Sequence, residues 1–212
     1  VKDEVDAEMK IGTIHKPLQR PHPPIAVPCI NRGSFSVKMA AARGFRPFSH
    51  HMAHREVLKD HSETYSSAAL AAGHEPRTID WKVSRNIFVA DSTTEARRTA
   101  RSNSLGRCIE YILELTRRGP GLGMYKRDPE QSDEDCNLDF LMTEQIIAGD
   151  VDYALERLEA FIEETGDFGT LCLMSYDWDD KAAWLRSMEL FATELMPRLN
   201  AKYAESYVET TI

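Results

Sequence analysis

The chain has 212 residues, of which 42% are hydrophobic and 28% are charged, a balance typical of a globular domain and unlike a disordered chain. It has 26 lysines and arginines against 34 aspartates and glutamates, so its formal net charge is −8. This acidic balance argues against nucleic acid or an anionic membrane surface as the main partner. No apolar run approaches the roughly 20 residues of a membrane-spanning helix, so a membrane protein is not expected either.

The cysteines and the first residues suggest where the protein works. The four cysteines lie far apart and none has CxxC spacing, which predicts reduced thiols and neither a zinc site nor a disulfide framework. No basic segment followed by an apolar leader opens the chain, so we expect a cytoplasmic protein. The chain starts at Val1, without a methionine, and runs directly into charged residues. We therefore expect it to be a piece of something longer.

Strand-like and helix-like runs alternate along the chain. Strands are predicted at residues 25–30, 45–49, 81–90 and 168–176. Amphipathic helices are predicted at residues 36–43, 54–72, 93–101, 105–118, from about 151 to 162, and from 181 onwards.

Local signals mark where several helices begin and end. Gly44 and Gly73 stand where left-handed C-terminal caps are expected. Ser92 begins an S-x-x-E capping box, and Asp150 has the position of an N-cap. Asp179 or Asp180 is predicted to cap the last helix, which Pro197 is predicted to end. Residues 200–212 are then a polar tail that frays.

The alternation of strands and helices predicts an α/β fold with a parallel sheet, in one domain over residues 1–212. Four strand–helix units are half of an eight-stranded (β/α)₈ barrel, which needs about 250 residues. A four-stranded open sheet would leave two unpaired edges, so half a barrel is the favoured interpretation. The irregular stretch 119–137 is predicted to be a mobile loop, and an apolar seam between half-barrels predicts an oligomer.

The turn at Asn31, Arg32, Gly33 and Ser34, continuing to Ser36, is the most informative candidate site. It lies between the end of a strand and the start of a helix, the side of α/β folds where ligands bind. Free helix amides, two hydroxyls and the arginine suit a phosphate. The alternative is that Ser34 or Ser36 only caps its own helix.

Other candidates favour structural roles. His50, His51 and His54 follow the second strand, and solvated loop histidines are favoured over metal ligands because no further ligand has suitable spacing. No metal site is predicted. Arg85 interrupts an apolar strand, and an ion pair is favoured over ligand contact. The glycines at 119–123 follow a helix, so they are a loop and not a dinucleotide fingerprint. The acidic run 128–135 is expected to be solvated.

Several of these segments, taken in order, resemble the bacterial luciferase-like flavin monooxygenases, in particular a branch labelled limonene monooxygenase-like. The similar segments are residues 21–27 (PHPPIAV), 40–44 (AAARG), 81–91 (WKVSRNIFVAD), 95–97 (EAR), 147–150 (IAGD), 163–171 (EETGDFGTL) and 176–180 (YDWDD). The resemblance extends from about residue 17 to residue 199, and it rests on the order and spacing of these segments together.

The resemblance implies a TIM barrel of which this chain is the C-terminal half. It implies an enzyme that takes reduced FMN from a separate flavin reductase and uses molecular oxygen to oxygenate a small organic substrate. In that family the turn matching Asn31, Arg32, Gly33, Ser34 and Ser36 grips the FMN phosphate. The catalytic histidine of luciferases belongs to the N-terminal half, so no catalytic residue is assigned here.

Two alternatives remain open from the sequence. One is that the chain is a non-catalytic half-barrel subunit that acts through a partner chain. The other is that it is an oxidoreductase that uses a deazaflavin for hydride transfer, as some branches of the family do. In the monooxygenase interpretation, the missing N-terminal half-barrel completes the enzyme, and the stretch 119–137 covers a dry pocket as a lid.

Overall fold

The computed structural model describes residues 5–6, 8, 11–12, 17–176 and 179–208. The strands are β1 (Val5–Asp6), β2 (Ile11–Gly12), β3 (Ala26–Cys29), β4 (Arg46–Ser49), β5 (Lys82–Val89), β6 (Ile146–Gly149) and β7 (Thr170–Leu173). The helices are α1 (Phe35–Ala42), α2 (Arg55–Ala71), α3 (Thr93–Ser102), α4 (Ser104–Arg118), α5 (Leu138–Glu144), α6 (Val151–Thr165), α7 (Lys181–Leu190) and α8 (Met196–Val208). A 3₁₀ turn at Thr78–Asp80 precedes β5, and a π turn at Phe191–Leu195 joins α7 to α8.

Strands β3 to β7 form a parallel sheet with β5 at its centre. β3 pairs with β4, and β4 pairs with the start of β5. Lys82 and Val83 pair with β4 and also with β7, so these two strands flank β5 on opposite sides. The second half of β5 pairs with β6. The predicted α/β class with a parallel sheet is therefore confirmed, and β1 and β2 add only a two-residue antiparallel ladder.

The parallel sheet has five strands where four were predicted. The strand β6 was not predicted because a run of four apolar residues directly after a helix shows neither alternation nor a turn signal. The short helix α5 before it was also missed. These two elements lie between α4 and α6, so they add to the frame of β3, β4, β5 and β7 without replacing any of its four strands.

The prediction that Pro197 ends the last helix is also wrong. The π turn before α8 places Pro197 in the first turn of that helix, where a missing N–H and the proline ring are tolerated. The helix continues to Val208, over part of the predicted tail, and residues 209–212 lie outside the described part of the chain. Asp177 and Trp178, which belong to one of the family-like segments, also lie outside it.

Alternate residues of β5 are buried against the helices that cover one face of the sheet. Val83 packs with Trp81, Leu58 and Phe161 in one buried cluster, while Ile87, Val89 and residues of α6 to α8 form another. On the other face, Phe88 packs against α3 and α4 and meets the Trp184 ring edge-on, with centroids 5.0 Å apart. This two-sided burial explains why β5 reads as an almost continuous apolar strand.

Three strands of the parallel sheet have an open edge. Within the part of the chain that the structure describes, β3 pairs only with β4, and β6 and β7 each pair only with β5. Large apolar side chains at these edges remain exposed, including Ile30 at 41% and Leu173 at 42%. A half-barrel with its seam uncovered would have this distribution. None of the described helices combines the length and the apolarity needed to cross a bilayer.

Candidate functional site

The turn between β3 and α1 places a helix N-terminus at the carboxyl end of the parallel sheet. Gly33 has a φ of 59°, a left-handed conformation that a residue without a side chain adopts easily. Ser34 is the N-cap of α1, and its side chain makes no hydrogen bond to the helix that follows. The alternative that the Ser34 hydroxyl caps its own helix is therefore not realised, and the hydroxyl is available to a ligand.

The first turn of α1 is suited to an anion. The first bond along the helix is donated by the Lys38 N–H to the Ser34 carbonyl at 3.2 Å, so the amides that precede Lys38 have no acceptor within the helix. This helix is described throughout and carries no acidic side chain in its first turn. Phe35 is 80% exposed, which leaves this end of the helix open. The free amides and the helix dipole favour negative charge here.

Arg32 and Gly33 of the predicted site have partners within the chain. The guanidinium of Arg32 donates to the carbonyls of Glu56 at 3.1 Å, Arg127 at 2.7 Å and Lys126 at 3.4 Å. The Gly33 N–H donates to the Asp60 carboxylate at 2.6 Å. These contacts fix the path of the turn, whereas the Ser34 side chain makes no bond to α1.

A buried chain of hydrogen bonds supports the start of the turn. The Trp81 indole N–H donates to the Ser49 hydroxyl, and this hydroxyl donates to Nδ1 of His61, both at 2.9 Å. Nε2 of His61 then donates to the Asn31 carbonyl at 2.9 Å. A single neutral tautomer satisfies every group, and burial lowers the pKa of His61.

No sequence pattern pointed to this chain of hydrogen bonds. His61 was recognised only as a position on the buried face of a predicted helix. A histidine on such a face needs polar partners, which is the signal that the pattern offered. The partners themselves follow from the pairing of β3, β4 and β5, and that pairing could not be read from local spacing.

The favoured interpretation of the histidines as solvated is wrong for His51 and His54. His51 is 8% exposed. Burial is the main cause that lowers its pKa to about 3, and the positive charges of His50 and Arg85 act in the same direction. His54 is fully buried and is the N-cap of α2, with its Nδ1 accepting from the Glu56 N–H. His50 is half-buried beside His51, with ring centroids 4.2 Å apart. In the described residues, no group of three or more His, Cys, Asp or Glu side chains is placed to hold a metal ion.

Arg85 has a structural role, but it is not the expected ion pair. Its guanidinium donates to the carbonyls of Ala53 at 2.9 Å and His51 at 3.2 Å, and it lies 4.3 Å from the centre of the Phe161 ring. Burial lowers the pKa of Arg85 to about 9. The side chain therefore fastens the connection between β4 and α2 to the sheet through backbone oxygens.

The stretch 119–137 has no helix or strand, as predicted, but both of its ends are anchored. Leu122 and Tyr125 are buried near one end, and Cys136 near the other. The Met124 carbonyl accepts from the His54 N–H at 2.9 Å. The exposed part is therefore shorter than the whole loop, and several of its acidic side chains line an open surface groove together with residues of α5. Its mobility remains a prediction.

The chain belongs to the luciferase-like monooxygenase family, whose profile matches residues 2–167. It is 34% identical over 199 residues to 3,6-diketocamphane 1,6-monooxygenase of Pseudomonas putida. This match covers 93% of this chain and 52% of that protein. Limonene 1,2-monooxygenase of Rhodococcus erythropolis is 25% identical over 146 residues, covering 68% of this chain and 35% of that protein. The resemblance seen in the sequence is thus confirmed.

Solved structures agree. The oxygenating constituent of 3,6-diketocamphane monooxygenase from Pseudomonas putida, a type II Baeyer–Villiger monooxygenase in complex with FMN, is similar with a TM-score of 0.75 and 35% identity. The match covers 84% of this chain and 49% of that one. Monooxygenase RslO1 from Streptomyces bottropensis has a TM-score of 0.58 at 25% identity, and the match covers 89% of this chain and 54% of that one. An F420-dependent secondary alcohol dehydrogenase, with a TM-score of 0.56 at 16% identity, shows the shared fold alone.

The chain spans about half the length of the relatives that it matches. This agrees with a sheet that is open at β3 and β7. The half-barrel interpretation of the fold is confirmed in this sense.

Proposed function

We propose that this chain is the C-terminal half of a flavin-dependent monooxygenase that uses reduced FMN and molecular oxygen to oxygenate a small organic substrate. The observation that carries the proposal is the uncommitted Ser34 hydroxyl at the open N-terminus of α1, at the carboxyl end of β3. A relative of 35% identity that is in complex with FMN supports the choice of cofactor.

The residues of the turn fit a flavin phosphate. Ser34, Ser36 and the first amides of α1 would hold the phosphate oxygens, while Arg32 and Asn31 are held in place by other parts of the chain. Reduced flavin, when bound, would be the group that reacts with molecular oxygen. The protein's share is to bind the phosphate, fix the orientation of the ring and keep water away.

The diketocamphane monooxygenases among the relatives suggest a substrate class to try first. We propose an alicyclic ketone, with one oxygen atom inserted and the other released as water at the expense of the reduced flavin. A separate flavin reductase would supply the reduced cofactor.

Removing both hydroxyls of the turn should weaken FMN binding. The Ser34→Ala/Ser36→Ala variant is expected to bind FMN at least roughly 100-fold more weakly, because two hydrogen bonds to a charged acceptor are lost and each contributes about 1.5–3 kcal/mol. Fluorescence titration of the intact protein measures this change. Thermal stability should stay close to that of the parent, because the Ser34 side chain makes no cap bond.

The matched control removes two hydroxyls elsewhere. Ser66 and Ser67 lie within α2, away from the turn, and a Ser66→Ala/Ser67→Ala variant should bind FMN like the parent. Riboflavin has no phosphate, so its affinity should be the same in both variants. Equal FMN affinity in all three proteins would overturn the site, and preference for F420 over FMN would favour the deazaflavin alternative.

We also propose that the missing half of the barrel covers the open seam. Beside β7 an apolar groove of about 440 Å³ is lined by residues such as Phe168, Leu171 and Leu199. The chain expressed alone should therefore self-associate, since the groove and the strand edges expose apolar surface. Light scattering coupled to size-exclusion chromatography measures its mass, and a monodisperse monomer at micromolar concentration would contradict the proposal.

A further inference from the structure

Arg32 reaches from the turn to a part of the chain more than 90 residues away. Its Nη2 donates to the carbonyls of Lys126 and Arg127, and its Nη1 donates to the carbonyl of Glu56 at the start of α2. Three backbone oxygens from two separate segments thus converge on one guanidinium. A planar group with a fixed fork of donors is suited to such an arrangement.

The two carbonyls from the loop belong to Lys126 and Arg127, the residues that directly follow its buried segment. Met124 and Tyr125 are buried, and the Tyr125 carbonyl accepts from the Gln145 side chain at 2.7 Å. Beyond them the chain comes to the surface, where Arg127 is exposed. The contact with Arg32 is therefore made where the anchored end of the loop passes into its exposed part.

The exposed part makes further contacts that depend on the path at Arg127. The side chain of Arg127 donates to Glu144 at 2.5 Å, and its N–H donates to Gln131 at 2.7 Å. Lys126 pairs with Asp133 at 2.7 Å. Holding the two backbone carbonyls in place therefore also positions the side chains that fold residues 126–133 back on themselves.

We propose that Arg32 is a positioning residue that clamps residues 126–133 onto the turn, so that a ligand held at the turn and order in this segment are linked. This assigns to Arg32 a different role from direct contact with the phosphate. The identity of the ligand rests on the proposed function, whereas the clamp itself does not. Linkage requires that whatever orders the turn also orders the segment, and the reverse.

Hydrogen–deuterium exchange of the intact protein tests the clamp without any ligand. In Arg32→Met, amides of residues 126–133 should exchange at least about tenfold faster than in the parent, because the two hydrogen bonds that hold this segment to the turn are lost. Arg32→Lys should behave like Arg32→Met, since an ammonium cannot reach three carbonyls with a planar fork. Peptides from β5 should exchange as in the parent in both variants, which shows that the fold persists. Arg186→Met, which removes an arginine that pairs with Asp91 and Glu189 on the surface, is the matched control.

The second part of the experiment adds FMN. FMN should slow exchange of residues 126–133 in the parent and have a much smaller effect in both Arg32 variants. Unchanged exchange in Arg32→Met, or full protection in Arg32→Lys, would overturn the clamp, and the latter would point to a simple phosphate-binding cation. FMN that binds the parent without slowing exchange would overturn the linkage. If FMN does not bind the parent, the proposed function fails, while the exchange without ligand still decides the clamp.

Discussion

Gly169→Ala is expected to lower the free energy of unfolding by about 3 kcal/mol or more. A Cβ at this position would lie 1.6 Å from the carbonyl oxygen of Ile79 and 2.5 Å from its carbonyl carbon. Both atoms belong to the backbone, so no side-chain rotation relieves the overlap. The start of β7 would have to move away from the 3₁₀ turn, which breaks the bond from the Gly169 N–H to the Trp81 carbonyl. Urea denaturation measures the loss.

Gly123→Ala is the matched control for this substitution. No heavy atom lies within 4 Å of a Cβ built at Gly123, so its free energy of unfolding should change by less than about 1 kcal/mol. An equal change in the two variants would show that close approach of the backbones at Gly169 does not determine the cost. A large loss at Gly169 alone would establish that this contact fixes the outer strand of the sheet.

Local signals in the sequence predicted most of the elements. Gly44 and Gly73 have φ values of 65° and 77°, and each follows the C-cap residue of the helix that it was predicted to end. Ser92 and Asp150 cap their helices through side-chain bonds, as predicted. Such signals succeed because the hydrogen bonds that satisfy a helix end are made within three or four residues.

The elements that were missed depend on distant contacts. β6 consists of four residues and is a strand because it pairs with the second half of β5, about 60 residues earlier in the chain. Pro197 was expected to end a helix, but a preceding π turn changes which backbone groups need partners. Pairing across the sheet in the first case, and the preceding π turn in the second, decided between conformations that local spacing left nearly equivalent.

The candidate site shows the same division. The position of the turn between a strand and a helix was predictable, because it follows from the order of the elements. The partners of Arg32 were not predictable, since two of them lie 94 and 95 residues further along the chain. The burial of His51 was missed for a similar reason, because packing across the sheet buries the residues after β4.

Stability is expected to fall by more than about 2 kcal/mol between pH 8 and pH 5, as a result of the buried histidines. An unfolded histidine binds a proton near pH 6.5, whereas His51 in the folded chain stays neutral until the pKa of about 3 that burial imposes. Between these values the unfolded state binds more protons, so acid favours unfolding. His51 alone accounts for about 2 kcal/mol at pH 5. Burial also lowers the pKa values of His50, His54 and His61, which act in the same direction.

His54→Asn isolates one of these contributions, because asparagine keeps an acceptor at the N-cap of α2 and does not titrate. Urea denaturation at pH 8 and pH 5 should show a smaller difference in stability for this variant than for the parent. His74 is exposed, and His74→Asn is the matched control for replacing a histidine at the surface. If His54→Asn had the same pH dependence as the parent, protonation of this buried histidine would not contribute to acid unfolding. A smaller difference would show that keeping the histidines after β4 neutral is part of what holds the carboxyl end of the sheet together.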